Sequence, residues 1–197
     1  MAGGRKLGFD KEEALDKAMR IFWKKGYVGT SLSDLTNGLG INKPSLYSAF
    51  GNKEQLFIQT SQHYFEKYAE IHSRQLSSEG SVKERLSRFL TSVISQQCSD
   101  DTPKGCYVSL CISESVGEMY PPEAAELIEE ANHYSEKLLN DFLTAEQKKE
   151  TISKEIDVTE VARYLTTFIH GTAAMARGGR NKEDLLSLVD KAVNIID

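Results

Sequence analysis

Ser31-Leu32-Ser33-Asp34-Leu35-Thr36-Asn37-Gly38-Leu39-Gly40-Ile41-Asn42-Lys43-Pro44-Ser45-Leu46-Tyr47-Ser48-Ala49-Phe50-Gly51-Asn52 is the stretch that decides the fold. It reads as two short helices joined by a tight turn. Ser31 with Asp34 three residues later is a helix-start signature. Leu32, Leu35 and Leu39 share the inner face, and Gly40 ends the helix. Asn42 caps a second helix holding Lys43 to Phe50, and Ile41 and Leu46 sit where a hydrophobic staple would fix its entry. Pro44 falls in the first turn, where amide donors lack helical partners. At about 100° per residue, Leu46 and Phe50 point inward, Pro44, Ser45 and Ser48 point roughly opposite, and Tyr47 stands at the flank. Lys43 leads this small, polar outer face. The arrangement has the make-up of a helix-turn-helix. Spacing alone leaves a second reading open, since any compact three-helix unit can contain a short third helix.

Working outward, the period stays helical. Asp10 and Glu13 open a preceding helix, Leu15, Ala18, Met19 and Phe22 form its apolar stripe, and Lys24-Lys25-Gly26 closes it. Asn52 caps a long helix from Lys53 to about Leu76. Beyond Ser77-Ser78-Glu79-Gly80, segments 82–98, 105–117, 122–144, 158–177 and 182–196 all read as helices. No strand alternation of useful length appears, so the fold class is all-α. A reading unit is expected over 1–52 and a larger helical domain over 53–197, with no linker-like composition between them.

The stretch Thr30 to Leu35, then Gly40 to Phe57 with its Lys43-Pro44-Ser45-Leu46-Tyr47-Ser48-Ala49-Phe50-Gly51-Asn52-Lys53 centre, resembles the DNA-binding domain of TetR/AcrR transcriptional regulators. Phe22-Trp23-Lys24-Lys25-Gly26-Tyr27 looks like one branch of that family. The match spans roughly residues 9–57, and beyond residue 60 only architecture carries over. The resemblance implies a homodimer in which each third helix docks in a major groove of a palindromic, double-stranded operator. By position, Lys43, Pro44, Ser45, Tyr47 and Ser48 would face bases and nearby backbone, while Thr30, Ser31, Tyr47 and Lys53 would clamp phosphates. Hydroxyls and amines bond phosphate oxygens, and Pro44 or the Tyr47 ring could meet a thymine methyl. Many relatives carry His or another large side chain where this chain has Ser48 and Ala49. That implies fewer bidentate base contacts and more reliance on DNA shape or on a basic arm, for which Arg5 and Lys6 are candidates.

The same architecture implies that the C-terminal helices form a dimer interface, with Val161, Leu165, Phe168, Leu185, Leu188 and Val189 as candidates. The other helices would enclose an effector pocket, with Phe65, Tyr107, Cys111, Met119 and Phe168 as candidate lining. The expected activity is that of a ligand-responsive repressor, not an enzyme, released from its operator by a small molecule, an oxidant or a metal ion. Cys98 and Cys106 are candidate sensing thiols. The bland reading is that all three cysteines are small buried hydrophobes.

Composition sets the limits. The chain has 197 residues with 24 Lys+Arg and 29 Asp+Glu, a net charge of −5. That balance looks unlike a nucleic-acid binder until it is divided along the chain. Residues 1–60 hold 9 Lys+Arg and 6 Asp+Glu, hence +3, and the remaining 15 and 23 give −8. The acidity belongs to the C-terminal part, away from the basic reading unit. No run approaches the ~20 apolar residues of a membrane span, and the start reads as charged rather than as a signal peptide. A cytoplasmic protein without membrane partners is expected. Cys98, Cys106 and Cys111 form no CxxC pair and have no histidine at zinc-ligand spacing, so free thiols and no metal or cofactor are expected. Glu130-Ala131-Asn132-His133 has the Glu-x-x-His spacing of helical di-iron bundles. No other His has Glu three residues before it, and such a site needs two copies. A helical-bundle metalloprotein and a helical adaptor without DNA binding remain the two rival readings.

Overall fold

Asp10, Ser31, Asn42 and Asn52 each accept a hydrogen bond from the backbone amide three residues on, and so start four successive helices. These are α1 (Lys11–Lys25), α2 (Leu32–Leu39), α3 (Lys43–Phe50) and α4 (Lys53–Ser73). Ser31 and Asn52 form reciprocal capping boxes with Asp34 and Gln55. The turn before α3 depends on Gly40, which adopts the left-handed conformation at φ +67°. The computed structural model describes residues 9–115, 117 and 120–196. Arg5, Lys6 and Met119 lie outside the described residues.

After a 3₁₀ turn at Arg74–Ser77 come α5 (Val82–Gln97), α6 (Tyr107–Ser115), α7 (Pro122–Lys148) and α8 (Val158–Arg177). All elements of the described residues are helical. The expected continuous helix over 182–196 is instead α9 (Lys182–Leu186), α10 (Val189–Val193) and a 3₁₀ turn at Asn194–Ile196. The break falls at Ser187 and Leu188. There the Ser187 hydroxyl donates to the Asp184 carbonyl at 2.7 Å, a side-chain bond that competes with the helical ladder.

Two apolar cores divide the helices differently from the chain order. One joins α1–α4 to α6 and the first half of α7, through Met19, Phe22, Trp23, Leu46, Phe57, Tyr107 and Ile128. The other joins α5, the second half of α7 and α8–α10, through Leu90, Leu139, Leu143, Leu165, Leu185 and Val193. The seam therefore does not fall at residue 52. It runs across α7, whose two halves belong to different cores. This also corrects the expected dimer residues. Val161, Leu165, Leu185 and Val189 are each at most 5% exposed and are consumed by this chain's own second core. Phe168 is partly buried against that core, and Leu188 alone of the set is well exposed, at 40%.

Candidate nucleic-acid interface and internal cavity

Leu46 and Phe50 pin α3 to the first core, at 0% and 3% exposure. Burying two such side chains is worth several kcal/mol, roughly 1.5–3 each. That fixes which face of α3 is left outside. Lys43, Pro44, Tyr47 and Ser48 are exposed, and Ser45 is half-buried as the recipient of the Asn42 cap. The helical period sorts Leu46 and Phe50 inward and Pro44 and Ser48 outward, while Ser45, expected outward, is half-buried.

Two of the residues expected at phosphates are committed elsewhere. Thr30 is 1% exposed, and its hydroxyl donates to the Gly26 carbonyl at 2.5 Å, so it braces the turn after α1 rather than facing outward. Ser31 is exposed, but both its amide and its hydroxyl donate to Asp34 Oδ2, at 2.9 and 2.8 Å. Hydrogen bonds from Lys25 and Ser31 hold the Asp34 carboxyl below the ordinary carboxylate range. Lys53 opens α4, and its ammonium lies 4.1 Å from the centre of the Tyr27 ring. Burial lowers the Lys53 pKa, opposed by the nearby Glu114 carboxylate. A cation stacked on a ring at a helix N-terminus is held in place for an anion rather than sweeping through solvent.

A second feature lies between α4, α5, α7 and α8. It is a cavity of about 110 Å³. Tyr64, Phe65, Tyr68 and His72 of α4 line one side, Phe89, Val93, Gln96 and Gln97 of α5 another, and Cys106 and His170 contribute from the α6 start and α8. Of the residues expected to line a pocket, Phe65 does. Tyr107 and Cys111 belong to the first core, at 0% and 1% exposure, because α6 turns them away from the cavity. Phe168 faces the second core. Cys106, read only as a sensing thiol, is in the cavity wall, with Sγ 3.8 Å from the Tyr64 hydroxyl. Burial pushes the Cys98 and Cys111 thiols up, away from thiolate chemistry. Burial also lowers His72, to about 4, and His170. Gln97, His72, His170 and Tyr68 carry no local motif; they meet only because three helices distant in sequence, α4, α5 and α8, converge.

The cavity and the reading unit share a wall. Tyr64 and Tyr68 line the cavity and also pack edge-on against Trp23 of α1, with ring centroids 5.2 and 5.9 Å away. Arg177 at the end of α8 donates to the Trp23 and Lys24 carbonyls, at 3.0 and 2.9 Å, satisfying the free end of α1. Glu114 on α6 accepts the Tyr27 amide at 2.7 Å. Gly26 makes room for that carboxylate: a Cβ there would lie 1.9 Å from Glu114 Oε1, and φ is +75°.

The family model for bacterial regulatory proteins of the tetR family matches residues 14–60. The HTH-type transcriptional repressor ComR of Escherichia coli (strain K12) is 34% identical over 196 residues, covering 98% of this chain and 91% of ComR. The HTH-type transcriptional repressor BdcR of the same strain is 28% identical, covering 92% of this chain and 86% of BdcR. Among solved structures, a cysteine mutant of the TetR family transcriptional regulator CifR in complex with 26-bp double-strand operator DNA is 28% identical. It superposes with a TM-score of 0.89 over 98% of this chain and all of CifR. The likeness to ComR spans both cores, well beyond the helix-turn-helix, and no enzyme or metalloprotein reading accounts for it. The chain belongs to the tetR family of bacterial regulatory proteins.

Proposed function

We propose that this chain is a homodimeric transcriptional repressor that grips a palindromic operator through α3 and lets go when a small molecule fills the cavity. The observation that carries the reading is the orientation of α3. Leu46 and Phe50 anchor it, and Lys43, Pro44, Tyr47 and Ser48 stand free at its outer face. With no long side chain except Lys43 and Tyr47, the helix can approach base edges closely. Lys53 is the proposed phosphate contact, on a helix N-terminus. Thr30 serves the fold, and Ser31 reaches phosphate only by releasing Asp34. Arg5 and Lys6 remain proposed as a minor-groove arm.

The dimer proposal moves to a different face of α8. Tyr164, Gly171 and Met175 recur at i, i+7 and i+11, all exposed, with Tyr164 and Met175 at 42% and 47%. Leu188 and Ile195 add apolar surface at 40% and 38%. Such a stripe is suited to burial against its own copy. Of the thiols, Cys106 remains the proposed sensor, being the one in the cavity wall. The site of action is the cytoplasm, where the DNA is. No helix among the described residues is long and apolar enough to cross a membrane.

Selection of bound genomic fragments, followed by anisotropy titration and mass measurement, tests the reading. Two protomers per palindromic duplex are expected, and Lys43→Ala should change the ranking of operator variants. A monomer, or equal loss on every sequence, counts against those roles. Intact biological activity without Tyr47 would favour the adaptor instead.

A further inference from the structure

Among the described residues of the cavity wall, Gln97 carries the one fully buried side-chain polar atom without a hydrogen-bond partner. It is 2% exposed, and its side-chain amide donates to the Ile169 carbonyl at 3.0 Å. A carbonyl can only accept, so the amide nitrogen must take that side and leave Oε1 as the free end. Oε1 is buried and has no partner. An unpaired buried acceptor is costly, and native structures keep few of them. The two histidines in the wall do not compete for the same role. His170 is satisfied as a neutral ring, with Nε2 on Asn132 Oδ1 at 3.0 Å and Nδ1 accepting the Ser109 hydroxyl at 2.7 Å. His72 Nδ1 is bonded to Ser92 Oγ at 2.9 Å. Burial keeps both rings neutral near pH 7. Among the described residues the lining holds no Lys, Arg, Asp or Glu. Phe65, Phe89, Val93, Leu138 and Ile169 make much of it carbon.

We propose that the effector is an uncharged molecule about the size of one aromatic ring, carrying a hydrogen-bond donor that pairs with Gln97 Oε1. This rests on taking the cavity as the effector site. The size follows from the volume: about 110 Å³ is slightly below the roughly 150 Å³ of a cavity that holds benzene. Neutrality follows from the wall, which offers no counter-charge to a desolvated ion. The donor requirement follows from Oε1, since a ligand lacking one leaves that buried oxygen unpaired.

Calorimetry on the DNA-free protein at pH 7, with phenol, anisole and benzoate as probes, tests it. Phenol should bind about tenfold tighter than anisole although anisole is the more apolar, and benzoate should not bind. Gln97→Met should weaken phenol about tenfold and leave anisole within about twofold. In the wild-type protein, the Gln97 side-chain carboxamide resonances should shift with phenol and not with anisole, a readout independent of the variant's folding. Equal affinity for phenol and anisole, benzoate binding as tightly as phenol, a preference that survives Gln97→Met, or no binding of any ring would overturn the proposal. Phenol that binds as described but leaves operator affinity unchanged would instead overturn the release step of the proposed function, and the ligand class would stand.

Discussion

Lys53 and Thr30 were both expected at phosphates, and the structure separates them by which atoms are free. Lys53 keeps an ammonium at the start of α4, poised over Tyr27, so the contribution proposed for it at DNA is electrostatic. Lys53→Ala should weaken binding to all sequences alike and reduce the slope of log affinity against log salt by about 1. An unchanged slope in a salt titration would remove Lys53 from the interface. Thr30 has its hydroxyl on Gly26 inside the fold. Thr30→Val should therefore cost about 1–2 kcal/mol in urea unfolding and leave the salt slope alone. Thr30→Ser should recover most of that stability. The contrast shows what a sequence can and cannot tell. The inward set Leu46 and Phe50 and the outward Pro44 and Ser48 follow from helical period, which is a local property; Ser45, expected outward with them, is half-buried at the Asn42 cap. Whether a hydroxyl in a turn faces solvent or a carbonyl four residues back depends on how the chain folds over itself.

Helix faces raise the same issue at a larger scale. The apolar stripe of α8 was legible, but a stripe buried by its own chain looks like one buried by a partner. Val161 and Leu165 proved to be the former, and the free face, Tyr164 to Met175, is interrupted by Thr167, Gly171 and Ala174, which dilute its apolar signal. The link between α8 and α1 was not legible at all, because Arg177 meets backbone carbonyls, which every residue carries. Those two bonds hold the last turn of α1 against the body, and α1 in turn carries α2 and α3. Arg177→Ala removes a charged donor from two carbonyls on a mostly exposed side chain, so the stability cost should be modest, about 1 kcal/mol. The functional cost should be larger. In the proposed dimer, a reading unit free to tilt loses the fixed spacing between the two protomers' α3 helices, so operator affinity should fall about tenfold. Loss of stability without loss of affinity in an anisotropy titration would make Arg177 a mere cap.

For the whole molecule, the cavity lies at the seam between two cores, and its wall contains two largely buried histidines, His72 and His170. This seam is not marked in the sequence, because α7 crosses it without any change in composition. His72 has its pKa lowered to about 4 by burial, against 6.5 when unfolded. Between those values the unfolded chain takes up a proton that the folded chain refuses, so stability falls as pH drops from about 6.5 to 4. His170 is lowered for the same reason and acts in the same direction. Glu146 acts lower on the scale. Burial pushes its carboxyl up, but hydrogen bonds from Lys149, Arg85 and Thr151 outweigh that and leave it below the ordinary value of 4.5. Its stabilisation is present above the unfolded carboxyl pKa and is lost only as pH falls below it. The two windows are therefore distinct, and the histidine window opens first. His72→Gln should flatten the loss of unfolding free energy between pH 6.5 and 4 by about 2 kcal/mol, whatever it does to stability at pH 7. The loss below pH 4 should be unchanged, since Glu146 remains. A urea-unfolding series across pH that keeps its full slope in the upper window would show that His72 is not the group the folded protein holds neutral.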